Sequence, residues 1–421
     1  MYKRKLIYLL VAALSAIMTS CSNSGNNHSN NYSQTMDSTY EKGQYGFDLQ
    51  FLTKHIKPVE LKNGNACLLI APEYQGRVMT SSAQGNNGNS FGWINYSFIE
   101  SGKKSTQFNP YGGEERLWIG PEGGPFSVYF KKGREQVFEN WVVPKEIDTE
   151  PFEIVSQTSK SATFRKDFIL VNASGTEMPV GIERKVSILA GSQVEQALNL
   201  KLDDSLSFVA YESENIPMNK GKTGWDKTSG ALSIWMLAMF NPSENGVVFI
   251  PFKKGDEKSL GKKVTDDYFG KVPADRLIVK DSLLFFKVDG KHRSKIGISP
   301  LRALPYCGSY DPDKQTLTIL WYSAPEKPAE YVNSKWGKQE NPFVGDAVNS
   351  YNDGPVADGS IMGPFYEIES SSPAAFLAPG NTIVHKQRIF HISGSEAKLS
   401  LITEKLFNLT ISEIKQAFNQ K

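Results

Sequence analysis

Short stretches with β-strand character recur along the middle of the chain, and turn residues rather than helices separate them. The stretches are rich in β-branched and aromatic residues, with Gly, Pro, Asn and Asp between them. The predicted strands are 67–70, 77–80, 126–130, 162–170, 180–189, 194–202, 208–211, 232–240, 247–250, 283–288, 295–298 and 316–322. Strands separated in this way are typical of antiparallel sheets packed face to face. The sequence therefore predicts an all-β sandwich.

The C-terminus is the one convincingly helical region. Apolar residues recur there at helical spacing, namely Leu399, Ile402, Leu406 and Leu409. Thr410 and Glu413 form a capping-box pattern at the start of a second helix. A shorter helix is also compatible with the segment that begins at Phe47. We expect one sandwich domain over residues 45–395, followed by a helical appendage over 396–421.

The N-terminal segment has the pattern of an export signal. Basic residues 3–5 precede an apolar run over 6–18, and Thr19 and Ser20 lead to Cys21. A cysteine at the cleavage point resembles a bacterial lipobox, which implies a signal peptide over 1–20 and a lipid on Cys21. The expected location is the bacterial cell envelope, with the lipid as the contact to the membrane. The alternatives are a plain signal peptide or an uncleaved anchor, although the apolar run is short for a membrane span.

Residues 21–44 are rich in Ser and Asn and contain almost no aliphatic residues. Such a segment buries too little apolar surface to offset the entropy of ordering, so we expect a flexible tether. Cys67 and Cys307 remain in the body, and we favour two free, buried thiols over a disulfide, which an exported compartment would allow. No cysteine spacing indicates a zinc site, and we expect no metal and no cofactor.

Charge excludes one class of partner. The formal net charge is +2, and removal of residues 1–20 takes away three basic residues and leaves −1. A polybasic surface is therefore not expected, and neither is binding to nucleic acid.

Two loop-like segments could contact a ligand. The first, 109–125, combines five glycines with Arg116, Trp118 and Glu122 in what reads as one irregular segment. Glycines allow the backbone to approach a ligand closely, and Trp118 offers a ring face for stacking on a sugar. The glycine spacing matches no phosphate-binding fingerprint. The alternative is a structural connection that caps one end of the sandwich.

The second segment, 331–364, carries aromatic, amide and acidic residues and leads into a predicted strand. Trp336, Tyr351, Asn352 and Asp353 are among them. Aromatic rings suit the apolar faces of a sugar ring, and amide and carboxylate groups suit its hydroxyls. Long segments of this kind are usually functional or disordered, and the aromatic content favours function.

The strand after this segment carries two carboxylates. Period-two alternation sends Glu367 and Glu369 to the same face. Such a pair can supply a general base and its partner, because mutual repulsion raises one pKa toward neutrality. The alternative is that both face solvent or pair with nearby Arg and Lys. His385 and His391 share a face of the next strand, where a histidine can serve as the acid, although a structural role is commoner.

Several short motifs resemble aldose 1-epimerase (galactose mutarotase-like) proteins. Glu369 and the turn 377–380, Leu-Ala-Pro-Gly, resemble their C-terminal signature. Residues 76–81 look like the family's early glycine strand, and Met239-Phe240-Asn241 is similar to its Tyr-Phe-Asn. The resemblance implies a β-supersandwich with a sugar-sized groove, and it makes Glu369 the candidate catalytic base, with Glu367 as its rival.

The departures from the family concern its histidines. Tyr111 stands in Tyr111-Gly112-Gly113 where the family has His-Gly-Gly, and Leu237 stands at the other histidine position. Because those histidines serve as the acid and its helper, true mutarotase activity is not expected. The resemblance places the chain in a bacterial lipoprotein branch of this superfamily, of the Bacteroidetes type.

Three functions are compatible with these features. The first is a lipoprotein that binds a carbohydrate, with action on it through Glu367 or Glu369 left open. The second is a non-catalytic glycan-binding or scaffold lipoprotein of a polysaccharide-utilisation system. The third is a polysaccharide lyase or hydrolase that uses Tyr111 and Arg116. The candidate sugar contacts are Tyr111, Arg116, Trp118, Glu122, Asn352, Asp353 and His385.

Overall fold

The computed structural model describes residues 39–356 and 358–419, and in these residues the chain forms eighteen strands and six α-helices. The strands are β1 (Val59–Asn63), β2 (Ala66–Ala71), β3 (Arg77–Ser82), β4 (Glu115–Gly120), β5 (Glu153–Gln157), β6 (Ser161–Val171), β7 (Glu177–Ile188), β8 (Ser207–Asn219), β9 (Ser233–Phe240), β10 (Val247–Pro251), β11 (Leu277–Val279), β12 (Leu283–Lys287), β13 (Ser294–Ile298), β14 (Tyr306–Asp311), β15 (Thr316–Tyr322), β16 (Val348–Asn352), β17 (Tyr366–Ser371) and β18 (His385–Ser393). The helices are α1 (Tyr45–His55), α2 (Tyr96–Ser101), α3 (Gly191–Leu198), α4 (Glu257–Leu260), α5 (Glu396–Phe407) and α6 (Ile411–Gln416).

The strands form two sheets. The eight-stranded sheet has the order β1-β2-β3-β4-β9-β17-β16-β13, and the ten-stranded sheet has the order β11-β12-β10-β14-β15-β18-β8-β7-β6-β5. Neighbouring strands pair antiparallel, as in β17 against β9 and β18 against β8. The predicted all-β sandwich of antiparallel sheets is therefore confirmed.

The main core lies between the two sheets. It joins Ile70 and Ile368 of the eight-stranded sheet to Ile182, Val209 and Ile389 of the ten-stranded sheet, and all five side chains are buried. Burial of such apolar surface is the main stabilising contribution to a fold of this kind.

The C-terminal helices cover the outer face of the ten-stranded sheet. Leu399 of α5 and Ile414 of α6 are fully buried in a second cluster with Phe249 of β10 and Phe390 of β18. The predicted capping box is present at the start of α6, where Thr410 and Glu413 bond each other's backbone N–H. The predicted helical appendage is confirmed, and α1 confirms the short helix expected near Phe47.

Two predicted strands are wrong. Residues 194–202 contain most of α3 instead, because Val194 and Leu198 lie four positions apart and both turn inward while most residues between them stay partly exposed. Residues 126–130 form irregular turns rather than a strand, although all five side chains are buried. The centre of the Tyr129 ring lies 5.5 Å from the centre of the Trp118 ring, and residues 128–130 share a buried cluster with β4, so packing against β4 explains their apolar character.

The interpretation of 109–125 as one irregular segment is also wrong. Its centre is β4, which pairs with β9 along its whole length. All six residues of β4 are buried, so the strand lacks the alternation that usually identifies a half-buried strand.

The two cysteines of the described body are free and buried, Cys67 in β2 and Cys307 in β14, as predicted. Among the described residues, the helices are all too short or too polar to cross a membrane. The predicted signal peptide, Cys21 and most of the predicted tether lie outside the described residues.

Candidate functional site

A cavity of about 1050 Å³ opens on the outer face of the eight-stranded sheet. On β17, Ser370 contacts His385 and Gln387 of the ten-stranded sheet, so its neighbours Glu369 and Ser371 point the opposite way. The side chains that this outer face presents to the cavity are called the floor, and they are Trp235, Lys295, Asn349, Tyr351 and Ser371.

Lys295 and Trp235 of the floor both bind Glu369. The Lys295 ammonium donates to Glu369 Oε2 at 2.8 Å, and the indole N–H of Trp235 donates to the same oxygen at 2.7 Å. Glu369 is fully buried behind them and does not line the cavity. Its other oxygen, Oε1, has no hydrogen-bond partner among the described residues.

Glu367 occupies the same buried layer. Arg116 Nη2 lies 3.3 Å from Glu367 Oε1, and the guanidinium lies 4.0 Å from the centre of the Trp118 ring. Burial raises the pKa of Glu367 above its ordinary value, while the Arg116 charge opposes the rise and the Glu369 charge adds to it. Glu367, Arg116 and Trp118 thus lie beneath the floor and do not line the cavity.

A polar chain forms one wall. The Tyr268 hydroxyl donates to Asp346 Oδ2 at 2.6 Å, and the Asn349 amide donates to the Tyr268 oxygen at 3.2 Å. Asp346 has room only because residue 297 is glycine, since a Cβ there would lie 2.0 Å from Asp346 Oδ2. Burial raises the pKa of Asp346, and the hydrogen bond from Tyr268 opposes that rise.

Glu122 and Ser233 complete the polar lining on the side of β4. Burial raises the pKa of Glu122, with the Lys295 charge opposing the rise. Ser233 Oγ is buried and has no hydrogen-bond partner within residues 39–356 and 358–419. Asp353 also lines the cavity, but its oxygens accept from the Tyr351 hydroxyl at 2.8 Å and from the Gly363 N–H at 2.7 Å.

The other predicted contacts lie elsewhere. Asn352 is buried on the far face of β16, where its side-chain oxygen accepts from the Gly290 N–H. His385 lies between the sheets, with Nε2 2.8 Å from Ser370 Oγ. Tyr111 stacks on Tyr74 with ring centres 4.0 Å apart. The cavity therefore brings together Glu122 and Asp353 of the predicted set.

His391 is also buried between the sheets. Its Nδ1 lies 2.8 Å from Thr318 Oγ1 and its Nε2 lies 3.1 Å from Glu114 Oε1. Leu237, which stands at one of the family's histidine positions, pairs with Glu369 across β9 and β17 and is buried. In the part of the chain that the structure describes, no group of three His, Cys, Asp or Glu residues is placed to hold a metal ion.

Sequence reasoning missed Trp235, Lys295 and Tyr268. Trp235 and Lys295 lie within predicted strands, and alternation alone could have assigned each of them a face. The sequence does not show that β9 pairs with β17 and that β13 pairs with β16, because those pairings join residues far apart in the chain.

Three of the solved structures with a similar backbone path are the following. A protein from Synechocystis sp. PCC 6803 is 12% identical, with coverage of 81% of this chain and 96% of that one and a TM-score of 0.49. A putative aldose 1-epimerase from Escherichia coli K12 is 11% identical, covering 80% and 99%, with a TM-score of 0.46. A galactose mutarotase-like protein from Lactobacillus casei is 9% identical, covering 80% and 100%, with a TM-score of 0.42.

The similarity of these structures to this chain is one of backbone path, at 12% sequence identity or less. No curated protein matches the chain in sequence. A family model does match, over residues 43–418. The chain therefore belongs to this family of unknown function, DUF6786.

Proposed function

We propose that the protein binds a carbohydrate in the cavity on the outer face of the eight-stranded sheet. The observation that carries the proposal is the combination of aromatic rings and polar groups around one cavity. Trp235, Tyr268, Trp336 and Tyr351 line it together with Lys295 and several carboxylates. Aromatic faces suit the C–H surfaces of a sugar ring, and convergent polar groups suit its hydroxyls.

An unpartnered oxygen in the cavity lining, Ser233 Oγ, supports the proposal. Ser233 Oγ lines the cavity and Glu369 Oε1 lies just beneath its floor, and neither has a hydrogen-bond partner in the described residues. Buried polar atoms are nearly always hydrogen-bonded, so those that are not call for a specific explanation. A hydroxyl of a ligand in the cavity can donate to Ser233 Oγ, whereas Trp235 and Lys295 separate Glu369 Oε1 from the cavity.

Binding explains this geometry better than catalysis does. A general base must come within hydrogen-bonding distance of the proton that it removes. Glu369 is covered by Trp235 and Lys295, and Glu367 is paired with Arg116. We therefore place a non-catalytic glycan-binding role first, and action on the sugar through Glu369 second, because Glu369 Oε1 is a fully buried oxygen with no hydrogen-bond partner among the described residues.

A glycan array followed by calorimetry on the purified protein tests the binding role. Trp336→Ala removes a ring at the cavity and should weaken binding of the glycan that is found by roughly tenfold. Trp321→Ala is the matched control, because Trp321 packs near α5 and α6 on the other sheet. The proposal fails if no glycan binds, or if Trp336→Ala and Trp321→Ala bind with equal affinity.

The catalytic candidate needs a separate measurement on the glycan that binds. Glu369→Gln keeps the shape of the side chain and removes its basicity, so turnover should disappear while binding persists. Glu367→Gln is the variant for comparison, because the Glu367 carboxylate of the unaltered protein pairs with Arg116. NMR spectra of the sugar show whether the unaltered protein converts it. If they show no conversion, or if Glu369→Gln leaves the rate of conversion unchanged, only the binding role stands.

We further propose that Cys21 carries a lipid that holds the protein at the bacterial cell envelope. The lipobox pattern before Cys21 is the basis for this. Cys21→Ser should move the protein from the membrane fraction to the soluble fraction and abolish labelling with radioactive palmitate. Unchanged labelling in Cys21→Ser would contradict the proposal.

A further inference from the structure

Exposed apolar side chains cluster at the mouth of the cavity. Six of the seventeen large apolar side chains that are exposed in the described residues line this one cavity. We call five of them the rim, namely Phe138, Phe269, Val356, Ile361 and Met362, and the sixth, Trp336, is one of the rings assigned to the sugar. Single exposed apolar residues are normal on a protein surface, whereas a cluster around a cavity marks a contact site.

The lining of the cavity has an exposed part and a buried part. The rim side chains are 39% to 61% exposed. The exposed part also carries polar residues, namely Glu139, Asp267, Arg293, Lys335, Asp358 and Ser360. The floor lies deeper, since Asn349 is buried and the Lys295 side chain is 13% exposed. Exposed apolar groups forgo the free energy of burial, so a ligand that covers the rim gains it.

The chemistry of the rim distinguishes it from the floor. Ile361, Met362 and Val356 are aliphatic, and Phe269 already has the Arg293 guanidinium over its ring at 3.9 Å. Sugar rings are recognised by aromatic faces and hydrogen bonds, which the floor and the Tyr268 wall supply. Aliphatic side chains instead match an alkyl or acyl chain, because they present no polar groups that would need partners, and the flexible Met362 adapts its shape to such a chain.

The size of the cavity also fits a ligand larger than a single sugar ring. About 1050 Å³ is at the upper end of the range for pockets that hold drug-sized ligands, so a single sugar ring on the floor would leave the rim uncovered. We propose that the ligand is amphipathic, a glycoconjugate with its sugar on the floor and an aliphatic aglycone against the rim. This rests on the proposed carbohydrate binding and adds the class of ligand.

Matched methyl and octyl glycosides of glucose, galactose and mannose test the proposal by calorimetry on the full chain, with each octyl glycoside below its micelle-forming concentration. For the sugar that binds, the octyl glycoside should bind roughly tenfold tighter than the methyl glycoside, or more, because its additional methylene groups are removed from water. The double variant Ile361→Ser, Met362→Ser should reduce that ratio to less than about threefold.

Leu401→Ser is the control, because Leu401 is an exposed leucine of α5, far from the cavity in the fold. It should keep the octyl-to-methyl ratio of the unaltered protein. Equal affinity for both glycosides would overturn this inference and leave carbohydrate binding in place. Absence of binding by every glycoside would overturn carbohydrate binding itself. Equal binding of an octyl chain on an oligo(ethylene glycol) head would overturn the inference, because the sugar would then contribute nothing.

Discussion

Lys295 neutralises the buried charge of Glu369 beneath the cavity. It is the only cation within 4 Å of the Glu369 carboxylate among the described residues, and Glu369 is completely buried. A buried carboxylate that loses its cation keeps the full cost of desolvation. The position of Lys295 at the floor therefore serves stability as well as recognition.

Lys295→Met should lower the free energy of unfolding by about 3 kcal/mol, since it leaves Glu369 buried without a cation. Urea denaturation measures the change. Lys254→Met is the control, because Lys254 pairs with Asp281 on the exposed surface, and it should cost less than about 1 kcal/mol. Equal costs for the two variants would contradict the role assigned to Lys295.

His385 gives the fold a dependence on pH. Burial lowers its pKa from the ordinary 6.5 to about 3. The unfolded chain therefore binds a proton between pH 6.5 and pH 3 that the folded chain does not, so the contribution of His385 to stability is complete above pH 6.5 and is lost as the pH falls. The slope is at most about 1.4 kcal/mol per pH unit.

His385→Gln should flatten that part of the stability profile between pH 6 and pH 4. Chemical denaturation at a series of pH values measures it, with the difference between the two proteins as the readout. A profile that keeps its slope in His385→Gln would show that other groups produce it.

At the residue scale, the sequence predicts which kinds of side chain form a site better than it predicts where they lie in the fold. Alternation correctly places Glu367 and Glu369 on one face, and two of the residues predicted to contact a sugar, Glu122 and Asp353, line the cavity. The sequence does not show that Arg116 pairs with Glu367 or that Lys295 pairs with Glu369, because each ion pair joins strands that are distant in the chain.

At the scale of elements, two connecting segments meet at the cavity wall without room for a side chain. A Cβ on Gly123 would lie 2.2 Å from the Lys335 carbonyl oxygen. The segments on either side carry Glu122 and Trp336, both of which line the cavity. The distance between these segments is therefore fixed by the absence of a methyl group.

Gly123→Ala should force the segments apart and destabilise the protein by about 1–3 kcal/mol. Its Tm should fall, and hydrogen exchange should increase around residues 332–336. Gly224→Ala is the control, because a Cβ at Gly224 would meet its nearest atom, the Leu377 oxygen, at an ordinary 3.7 Å. Equal Tm values for both variants would contradict this account.

The same scale shows which elements a single sequence reveals. α5 and α6 were predictable because their spacing and the Thr410 capping box are local signals. β4 was not, because burial on both faces removes the alternation and glycines surround it. α3 was misread because Val194 and Leu198 suit a helix face and a strand equally well in so short a segment.

At the scale of the whole molecule, a buried polar chain connects the sheets. Glu115 of β4 accepts from Arg184 of β7 at 2.7 Å and from Gln387 of β18 at 2.8 Å. Arg184 also donates to Asn215 at 2.6 Å. All four residues are fully buried, so the sheets are aligned by directional bonds in addition to apolar packing.

Arg184→Met should lower the free energy of unfolding by about 3–5 kcal/mol, because Glu115 then lies buried without its cation. The double variant Arg184→Met, Glu115→Met should cost clearly less than the sum of the two single variants, which denaturant titrations of all four proteins would show. Additive costs would mean that the two side chains do not act as a pair.

The last two strands of the chain, β17 and β18, are interior strands of the two sheets. β17 separates β9 from β16, and β18 separates β15 from β8. A ribosome that has released the first 365 residues has therefore produced two divided sheets, each with open edges that can pair with other chains. The eight-stranded sheet is incomplete until β17 ends at Ser371, and the ten-stranded sheet is incomplete until β18 ends at Ser393. Such distant pairings form slowly. Any factor that protects the open edges from pairing with other chains must therefore remain bound until β17 and β18 have emerged.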